Sequence, residues 1–371
     1  MSTTVVYVIS EVQDAPGFAW LAAKATGESW RIVFVLMNSG PGKLEEQLRG
    51  LGAEVRIVPY AGRADIFSAF FSLLKIFRQL RPGTVHTHLL AANLAGLVAA
   101  WVMRVPNRIY TRHHSNPHEL GPWYAKGYDF LANGLSTKIV ATCRNVEEYL
   151  IQKEKVEKQK IKVVHLGFEP SEFAGVSAAR ISAVKNKYGY AAKAPVVGVI
   201  SRYVPIKGVP YVIEAFAEVL REFPEACLVL ANAGQGAGRA EIQHALRKLP
   251  PYAYREIAFE SDSPALMRSF DVFVHVPVDR VSEAFGQVYI EALLSSVPSV
   301  TTLSGVAPEV LRDRENTLTV PFRDAAAIGA GILRLLRSPE EARRLAAAGA
   351  VEARSLFSME KMVDGLRELY R

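Results

Sequence analysis

The sequence predicts an α/β protein made of two doubly wound domains. Short apolar strands alternate with helical patterns along the chain, which is typical of parallel sheets with helices on both faces. This alternation is interrupted over residues 169–194 and then starts again. At 371 residues the chain is also too long for one ordinary domain. We therefore expect a first domain over residues 1–168, a linker over 169–194 and a second domain over 195–356, facing each other across a cleft.

The elements of the first domain follow from runs of β-branched and other apolar residues. Strands are predicted at residues 5–9, 32–36, 54–58, 84–87, 107–110, 138–142 and 162–165. Helices are predicted at residues 43–51, 66–80 and 145–150. The longest apolar run, residues 89–103, is too short to cross a bilayer and predicts a buried helix instead.

The second domain repeats the same alternation with its own set of strands. They are predicted at residues 195–200, 227–231, 256–260, 272–276 and 299–302. Helices are predicted at residues 209–222, 325–336 and 339–356, with a further helix carrying Glu291.

The composition excludes several classes of protein. Cys143 and Cys227 are the only cysteines, so a disulfide framework and a thiolate metal cluster are excluded. The start Met-Ser-Thr-Thr leads directly into a strand, and no signal peptide is expected. Both observations fit a cytoplasmic protein that is soluble or lies at the inner face of the membrane.

The net charge of +7 lies mainly in the first half of the chain. Residues 1–180 hold 21 Lys and Arg against 15 Asp and Glu, a net charge of +6. No arginine-rich stripe with interleaved aromatic residues appears, so nucleic acid is not an expected partner. An anionic acceptor or an anionic membrane surface explains the excess equally well, and a merely solvated surface stays possible.

The helix predicted over residues 66–80 is apolar over more than half of its circumference. A helix that packs on one face of a sheet needs a narrower apolar stripe. The surplus side chains would either pack on a neighbouring helix or form an interfacial patch for lipid. The residues concerned are Phe67, Phe71 and Leu74, with Lys75, Arg78 and Arg81 beside them.

The most informative segment is residues 283–291, in which two glutamates enclose a Phe-Gly step. Gly286 and its neighbours can open a helix, and a helix N-terminus suits a phosphate. Eight helical steps span about 12 Å, close to the reach from a sugar across a pyrophosphate to a ribose. The segment therefore fits a nucleotide-sugar. One of the two carboxylates, Glu283 or Glu291, would bind the hydroxyls of the sugar, and the other would bind those of the ribose.

A second segment, residues 201–208, places two cations on a loop between a strand and a helix. Arg202 and Lys207 would converge at the carboxyl end of the preceding strand, as a pyrophosphate leaving group requires. The planar fork of Arg grips two oxygens, and Lys adds a compact point charge.

Together these segments make the chain resemble the retaining glycosyltransferases of the "glycosyl transferases group 1" class, family 4. Residues 201–208, 271–277 and 282–293 carry the resemblance, followed by residues 297–300 and 305–310. Residues 357–363 also resemble the closing helix of the family, which returns to the first domain, so residues 357–371 are assigned there. The resemblance implies the GT-B fold.

The resemblance also implies roles for individual residues. Glu291 would hold the ribose hydroxyls, and Arg202 and Lys207 would neutralise the diphosphate. Glu283 would hold the donor sugar with the backbone N–H groups of Phe285 and Gly286. On the first domain, His113 is the favoured histidine near the sugar and His114 is the alternative. The remaining donor-binding positions are Ser201, Ala284, Gly234 and Gly17.

The chain departs from the family pattern in its first strand-to-helix loop. One glycine, Gly17, stands where the family often has a Gly-Gly pair, which leaves the contacts of that loop open. A single glycine, Gly305, likewise stands where two are common. The run from Gly234 to Gly238 is not Gly-x-Gly-x-x-Gly, so it does not indicate a dehydrogenase.

The predicted function is a retaining transfer of a sugar from a nucleoside diphosphate, UDP before GDP, to a hydroxyl acceptor. The acceptor would be a glycan or lipid-linked sugar of the cell envelope. No Asp-x-Asp stands in a metal-binding context, so no metal and no cofactor are expected. The alternatives are a nucleotide-sugar epimerase of the same fold and an inactive nucleotide-sugar-binding scaffold.

Overall fold

The structure is a computed structural model that describes residues 3–25, 28–114, 125–234 and 236–370, without the side chains of residues 125 and 126. The chain divides into two compact units. Unit 1 comprises Met1–Phe168 and Phe357–Arg371, and unit 2 comprises Glu169–Leu356. Each unit contains one parallel sheet with helices, so the α/β prediction is confirmed.

Unit 1 is built on a parallel sheet of seven strands in the order β3-β2-β1-β4-β5-β6-β7. The strands are β1 (Thr3–Ser10), β2 (Trp30–Asn38), β3 (Glu54–Pro59), β4 (Thr84–His88), β5 (Asn107–Arg112), β6 (Lys138–Ala141) and β7 (Ile161–Val163). The chain winds outward in one direction from β1 and in the other from β4. These two adjacent strands are therefore the topological switch point, where ligands bind in such sheets.

Helices cover both faces of this sheet. They are α1 (Pro16–Lys24), α2 (Lys43–Gly50), α3 (Ile66–Leu80), α4 (Leu90–Val102), α5 (Ala125–Leu135) and α6 (Arg144–Gln152). A short 3-10 helix, Lys158–Lys160, precedes β7, and another, Arg63–Asp65, precedes α3. Alternate strand residues face opposite sides, so Val6 and Val8 pack with α3 and α4, while Tyr7 and Ile9 pack with α1 and α2.

Unit 2 is built on a parallel sheet of six strands in the order β10-β9-β8-β11-β12-β13. The strands are β8 (Val196–Ile200), β9 (Cys227–Ala231), β10 (Tyr254–Ile257), β11 (Val272–His275), β12 (Ser299–Thr301) and β13 (Leu318–Thr319). The winding direction reverses between β8 and β11, so these strands form the second switch point. β13 has two residues, too few to give a sequence pattern, and was not predicted.

The helices of unit 2 begin directly after Phe168. They are α7 (Pro170–Ala174), α8 (Ala178–Lys187), α9 (Val209–Glu222), α10 (Arg239–Leu246), α11 (Ser263–Arg268), α12 (Gln287–Leu294), α13 (Ala307–Val310), α14 (Ala325–Arg337) and α15 (Pro339–Leu356). Two 3-10 helices, Pro205–Lys207 and Pro251–Ala253, lie between them.

Residues 169–194 are not a bare linker, and that prediction is wrong. They form α7 and α8, and Val176, Val184 and Tyr190 are buried in one apolar cluster of unit 2. The Tyr190 hydroxyl hydrogen-bonds to the Ser269 hydroxyl at 2.9 Å. Two short helices with few apolar residues each give too weak a periodicity to be recognised in the sequence.

The last helix, α16 (Met359–Tyr370), belongs to unit 1. Met359, Val363 and Leu366 are buried in the cluster that also holds Tyr7 and Ile9. This apolar face fixes the returning segment to the sheet on the side of α1 and α2.

The side chains that the sequence singled out on helix α3 differ in their burial. Ala69, Leu73 and Phe77 are buried against the sheet, as its helical spacing requires. Leu74 is half-buried in the cluster that α3 shares with α4. Phe67 and Phe71, however, are 75% and 66% exposed, and none of the described helices covers them. Among the helices that the structure describes, none is long and apolar enough to span a membrane.

Candidate active site

The candidate site of unit 2 lies where β8 and β11 end, at the switch point of the second sheet. The loops that follow these strands are joined by a hydrogen bond from the Val278 N–H to the Ile206 carbonyl, at 3.0 Å. Gly208, with φ +70°, lies where a Cβ would approach the Val276 carbonyl oxygen to 2.1 Å. Only glycine permits this close approach, which brings both loops together.

The loop after β8 holds both predicted cations in different surroundings. Ser201 is buried, and its hydroxyl donates to the Arg202 carbonyl at 3.2 Å. The Arg202 side chain is exposed. Lys207 ends the 3-10 helix Pro205–Lys207, and its side chain is 15% exposed. The structure therefore places Lys207 in the site with a defined partner and leaves Arg202 at the rim of the same loop.

Glu283 is the centre of a buried polar network. One carboxylate oxygen, Oε1, accepts from Lys207 Nζ at 2.5 Å and from His275 Nε2 at 2.8 Å. His275 is the last residue of β11 and is 2% exposed. Its Nδ1 is buried without a hydrogen-bond partner among the described residues. Sequence reasoning missed His275, although its place at a strand's carboxyl end was an available signal.

The electrostatics of Glu283 follow from these contacts. Burial alone would raise the pKa of its carboxyl, but the hydrogen bond from His275 and the Lys207 charge outweigh it and lower the pKa to about 2. Burial lowers the pKa of His275 despite the neighbouring carboxylate. Glu283 is thus ionised at neutral pH and is paired with Lys207 and His275.

Two residues after β12 fix the backbone of this segment. The Ser304 hydroxyl accepts from the Glu283 N–H at 3.0 Å and contacts the Arg280 carbonyl at 3.2 Å. Gly305 has φ +63°, and a Cβ there would lie 2.7 Å from both Glu283 Cβ and the Phe285 carbonyl oxygen. Gly305 was predicted only as a departure from the family pattern, whereas the structure makes it a packing requirement.

Gly286 opens a helix, as the sequence predicted. It has φ +85° and is the N-cap of α12, and a Cβ there would contact the Tyr289 ring at 2.7 Å. The first N–H groups of α12 follow, and Phe285 before it is buried while Ala284 is half-buried. A helix N-terminus leaves backbone donors and a positive dipole end for an anion.

Glu291 lies one turn further along α12 with a half-buried side chain. Its carboxylate has no hydrogen-bond or ionic partner among the described residues. Burial raises the pKa of Glu291 to about 7. Partial burial of a carboxylate without a partner is unfavourable, so Glu291 is an acceptor available to the N–H or O–H donors of a ligand.

The glycine-rich loop after β9 contacts the loop after β8, but not through the predicted residue. Gly234 has φ +90° and open space around it. At Gly236, with φ +128°, a Cβ would instead lie 2.2 Å from the Tyr203 carbonyl oxygen. That oxygen accepts from the Gly238 N–H at 2.8 Å. The close approach therefore belongs to Gly236.

In unit 1, the predicted His113 lies at the first switch point. It follows β5, and its Nε2 is 3.1 Å from Nδ1 of His88, the last residue of β4. Ser10 ends β1, and its hydroxyl accepts from the Ala92 N–H at 3.1 Å. Gly17 lies in the first turn of α1, and an added Cβ there would meet nothing within 4 Å, so no close packing requires a glycine at this position.

His114 has a different environment from His113. Its Nε2 is 3.4 Å from Asp129 Oδ1, and its carbonyl accepts from Arg112 Nε at 3.0 Å. Arg112 is 1% exposed and also pairs with Asp129 and Glu154. This cluster anchors the end of β5, so His113 is the residue directed to the switch point.

The structure brings the predicted residues together at two places. In unit 2, Lys207 and Glu283 share one network with His275 near the start of α12, and Ser201 lies in the same loop as Lys207. His113 belongs to a second group in unit 1. No group of three or more potential metal ligands occurs within the described ranges.

Comparison with known proteins gives two family matches. The family model for glycosyl transferases group 1 matches residues 181–351, and the model for glycosyltransferase family 4 matches residues 28–172. The two matches follow one another along most of the chain.

Individual relatives are similar at low identity. Mannosylfructose-phosphate synthase of Agrobacterium fabrum is 24% identical, over 78% of this chain and 69% of its own length. The capsular polysaccharide biosynthesis glycosyltransferase CapM of Staphylococcus aureus is 24% identical, over 85% and 84%. A GDP-mannose-dependent phosphatidylinositol monomannoside mannosyltransferase of Mycolicibacterium smegmatis is 30% identical, over 49% and 49%. Several curated relatives are thus matched over about half of their length.

Among solved structures, HepE of Anabaena in complex with UDP and glucose is similar in fold. The TM-score is 0.83 at 19% identity, over 99% of this chain and 98% of that one. The order of the strands in the two parallel sheets, the two family matches and the similarity in fold agree with one another. The chain belongs to the group 1 glycosyltransferases of family 4 type and has their two-domain, Rossmann-like GT-B fold.

Proposed function

We propose that the protein transfers a sugar from a nucleoside diphosphate donor to a hydroxyl acceptor. The observation that carries this proposal is the half-buried carboxylate of Glu291, which lies on the helix that Gly286 opens and has no partner among the described residues. A ribose diol can supply two hydroxyl donors to such a carboxylate. The N-terminus of α12 and Lys207 then receive the diphosphate. Lys207 keeps its bond to Glu283 and still has two N–H donors for a phosphate oxygen.

The donor base is proposed to be uracil, with guanine second. Uracil is supported by HepE, whose structures contain UDP and UDP-glucose. Guanine is supported by relatives named as GDP-mannose-dependent enzymes. The transfer is proposed to need no metal, because the positive charge for the leaving group is supplied by Lys207, Arg202 and the helix N-terminus.

The reaction is proposed to retain the anomeric configuration through attack on the face that the leaving group departs from. Double displacement would need a free carboxylate nucleophile and a second carboxyl about 5 Å away. Glu283 is poorly suited to that role, because Lys207 and His275 already occupy its Oε1. The departing phosphate would instead accept the proton of the acceptor hydroxyl, and His113 would contact the donor sugar.

The acceptor is proposed to be a cell-envelope glycan or a lipid-linked sugar at the inner face of the membrane. CapM, a relative matched over most of its length, is named for capsular polysaccharide biosynthesis. The outer face of α3 supports a membrane contact. At 100° per residue Phe67, Phe71, Lys75 and Arg78 lie within about 80° of one another, and all four are exposed.

Nucleotide binding tests the donor site directly. Melting curves are recorded with UDP, GDP, ADP and dTDP, each with and without EDTA. A nucleotide at one hundred times its dissociation constant stabilises the protein by about 2.7 kcal/mol. We expect UDP to give the largest shift, unchanged by EDTA. A shift that EDTA removes would contradict metal independence, and no shift with any nucleotide would contradict the donor site.

Vesicle flotation tests the membrane contact. We expect the protein to float with vesicles that contain anionic lipid at low salt, and to be released by high salt because surface charges are then screened. The double variant Phe67→Ser and Phe71→Ser should lose this binding. The matched control is Phe259→Ser in unit 2, where Phe259 is also 66% exposed. Equal flotation of both variants would contradict the α3 surface.

A further inference from the structure

A buried polar cluster in unit 1 surrounds His113 and has no role in the site described so far. His86 and His88 lie on the same face of β4, two residues apart, and their ring centroids are 4.5 Å apart. His86 hydrogen-bonds to Thr111 at 2.8 Å and to Tyr370 of α16 at 2.6 Å. Both nitrogens of His86 are therefore satisfied within the core. His88 differs from His86, because its Nδ1 contacts His113, the residue predicted to lie near the donor sugar.

The orientation of the His88 ring is fixed by its neighbours. His88 is 2% exposed and stacks on Tyr7 at a centroid distance of 5.1 Å. Phe18 of α1 contacts the same ring edge-on at 5.0 Å. Its Nδ1 lies 3.1 Å from His113 Nε2, and its Nε2 is buried without a partner among the described residues. The ring is thus held by aromatic packing and by one hydrogen bond.

This hydrogen bond uses one proton, and the surroundings decide which ring provides it. Burial lowers the pKa of both imidazoles, to about 4 for His113, so each ring is neutral and carries one proton at neutral pH. If His113 donated, the proton of His88 would lie on the buried Nε2 without an acceptor, which folded proteins rarely tolerate. If His88 donates from Nδ1, no buried N–H is left unpaired.

We propose that His88 is a positioning residue that donates from Nδ1 to His113 Nε2. This bond fixes the ring of His113 and its tautomer, and leaves His113 Nδ1–H as the donor presented to the ligand. Nδ1 of His113 has no partner within the described part of the chain. A donor in this place suits a hydroxyl oxygen of the donor sugar, and in this respect the inference rests on the proposed function.

The tautomers can be measured without any ligand. The protein contains eight histidines, and selective ¹⁵N labelling of histidine with the variants below assigns the two rings. At pH 7 we expect protonation at Nδ1 and not at Nε2 in both His88 and His113. Protonation of either ring at Nε2 would overturn the proposal, whether or not a nucleotide-sugar binds.

Variants then test the effect of His88 on ligand binding, using UDP and UDP-glucose, or GDP and GDP-mannose if guanine is preferred. His88→Leu and His113→Ala should each weaken binding of the nucleotide-sugar about threefold to tenfold, the range expected for one lost hydrogen bond. Binding of the free nucleoside diphosphate should stay the same. The double variant should lose no more than either single variant, because both remove the same contact.

Two further variants separate positioning from simple damage to the core. In His88→Asn the side-chain amide can still donate near the Nδ1 position, so binding of the nucleotide-sugar should be largely restored. Tyr370→Phe removes a buried hydrogen bond from the same cluster without touching His88, and should leave the ratio of the two affinities unchanged. A loss in Tyr370→Phe equal to that in His88→Leu, or no rescue by His88→Asn, would overturn the proposal. If neither nucleotides nor nucleotide-sugars bind, the proposed function fails, and the tautomer measurement still decides the hydrogen bond.

Discussion

Glu283 and Glu291 carry the same functional group eight positions apart, but their surroundings shift their pKa values in opposite directions. Lys207 and His275 hold the carboxylate of Glu283 in the charged state, whereas Glu291 has burial without a partner. The residue pattern alone indicated that both residues are functional, and only the family resemblance implied different roles for them. The difference in their pKa values depends on His275, at the end of β11, and on Lys207, in the loop after β8, which both contact Glu283.

Glu291 should make the ligand-free protein less stable at alkaline pH. The pKa of its carboxyl is about 7 in the folded state and about 4.3 in an unfolded chain. Its contribution to the free energy of unfolding is therefore fully present below about pH 4.3 and is lost as the pH rises through about 7. We expect Glu291→Gln to raise the melting temperature at pH 8 and to change it little at pH 5.

The same variant should bind the nucleoside diphosphate more weakly at pH 8, because a charged acceptor for two hydroxyls is lost, worth about 1.5–3 kcal/mol. Isothermal titration calorimetry and melting curves measure the two effects separately. Glu214→Gln, on the exposed side of α9, is the matched control and should change neither. A Glu291→Gln protein with lower stability and unchanged affinity would contradict this account.

At the scale of elements, prediction succeeded where a segment has one strong pattern. The predicted bounds of α3, residues 66–80, and of α9, residues 209–222, agree with the structure because each is an amphipathic helix of several turns. The predicted bounds of β7 and β10 were displaced by one to three residues. These are edge strands, with a sheet neighbour on one side only, and their apolar pattern is correspondingly weak.

The candidate site was less accessible to prediction than the helices. Site residues that lie within one continuous motif, such as residues 283–291, could be predicted from the sequence. Contacts between distant stretches could not, and His88, Ser304 and Gly236 were missed for this reason. Each acts through a neighbour that only the sheet order brings close.

Gly305 should be required for the segment that carries Glu283. A Cβ at this position would contact Glu283 Cβ and the Phe285 carbonyl at 2.7 Å, and the φ of +63° disfavours a side chain. We expect Gly305→Ala to lower the free energy of unfolding by about 1–3 kcal/mol and to weaken nucleotide binding. Urea unfolding and calorimetry measure these effects.

The control for Gly305 is Gly134→Ala in α5, where an added Cβ meets nothing within 4 Å. Because alanine favours helix more than glycine does, this control should be neutral or stabilise the protein by about 0.5–1 kcal/mol. Equal effects of the two substitutions would show that the close approach at Gly305 does not matter.

At the scale of the whole molecule, the two units differ in how the chain builds them. Unit 2 is one continuous stretch, Glu169–Leu356, with its own sheet and its own apolar clusters. Unit 1 is assembled from both ends of the chain, since α16 adds Met359, Val363 and Leu366 to its core. The periodicity of apolar residues predicted the strands of both sheets. The assignment of α16 to unit 1, in contrast, came from the family resemblance.

This difference predicts which part of the protein folds independently. Residues 169–356 expressed alone should unfold cooperatively and, if the donor site is correctly assigned, bind the nucleoside diphosphate as the full chain does. Residues 1–168 alone should be much less stable, because the side of the sheet facing α1 and α2 loses its apolar cover, and His86 loses its partner Tyr370. Circular dichroism melting of both fragments, with nucleotide titration of the first, measures this. A stable 1–168 fragment would mean that α16 is dispensable for unit 1. The full chain could also bind the nucleotide while the folded 169–356 fragment does not. Unit 1 would then contribute to the nucleotide site.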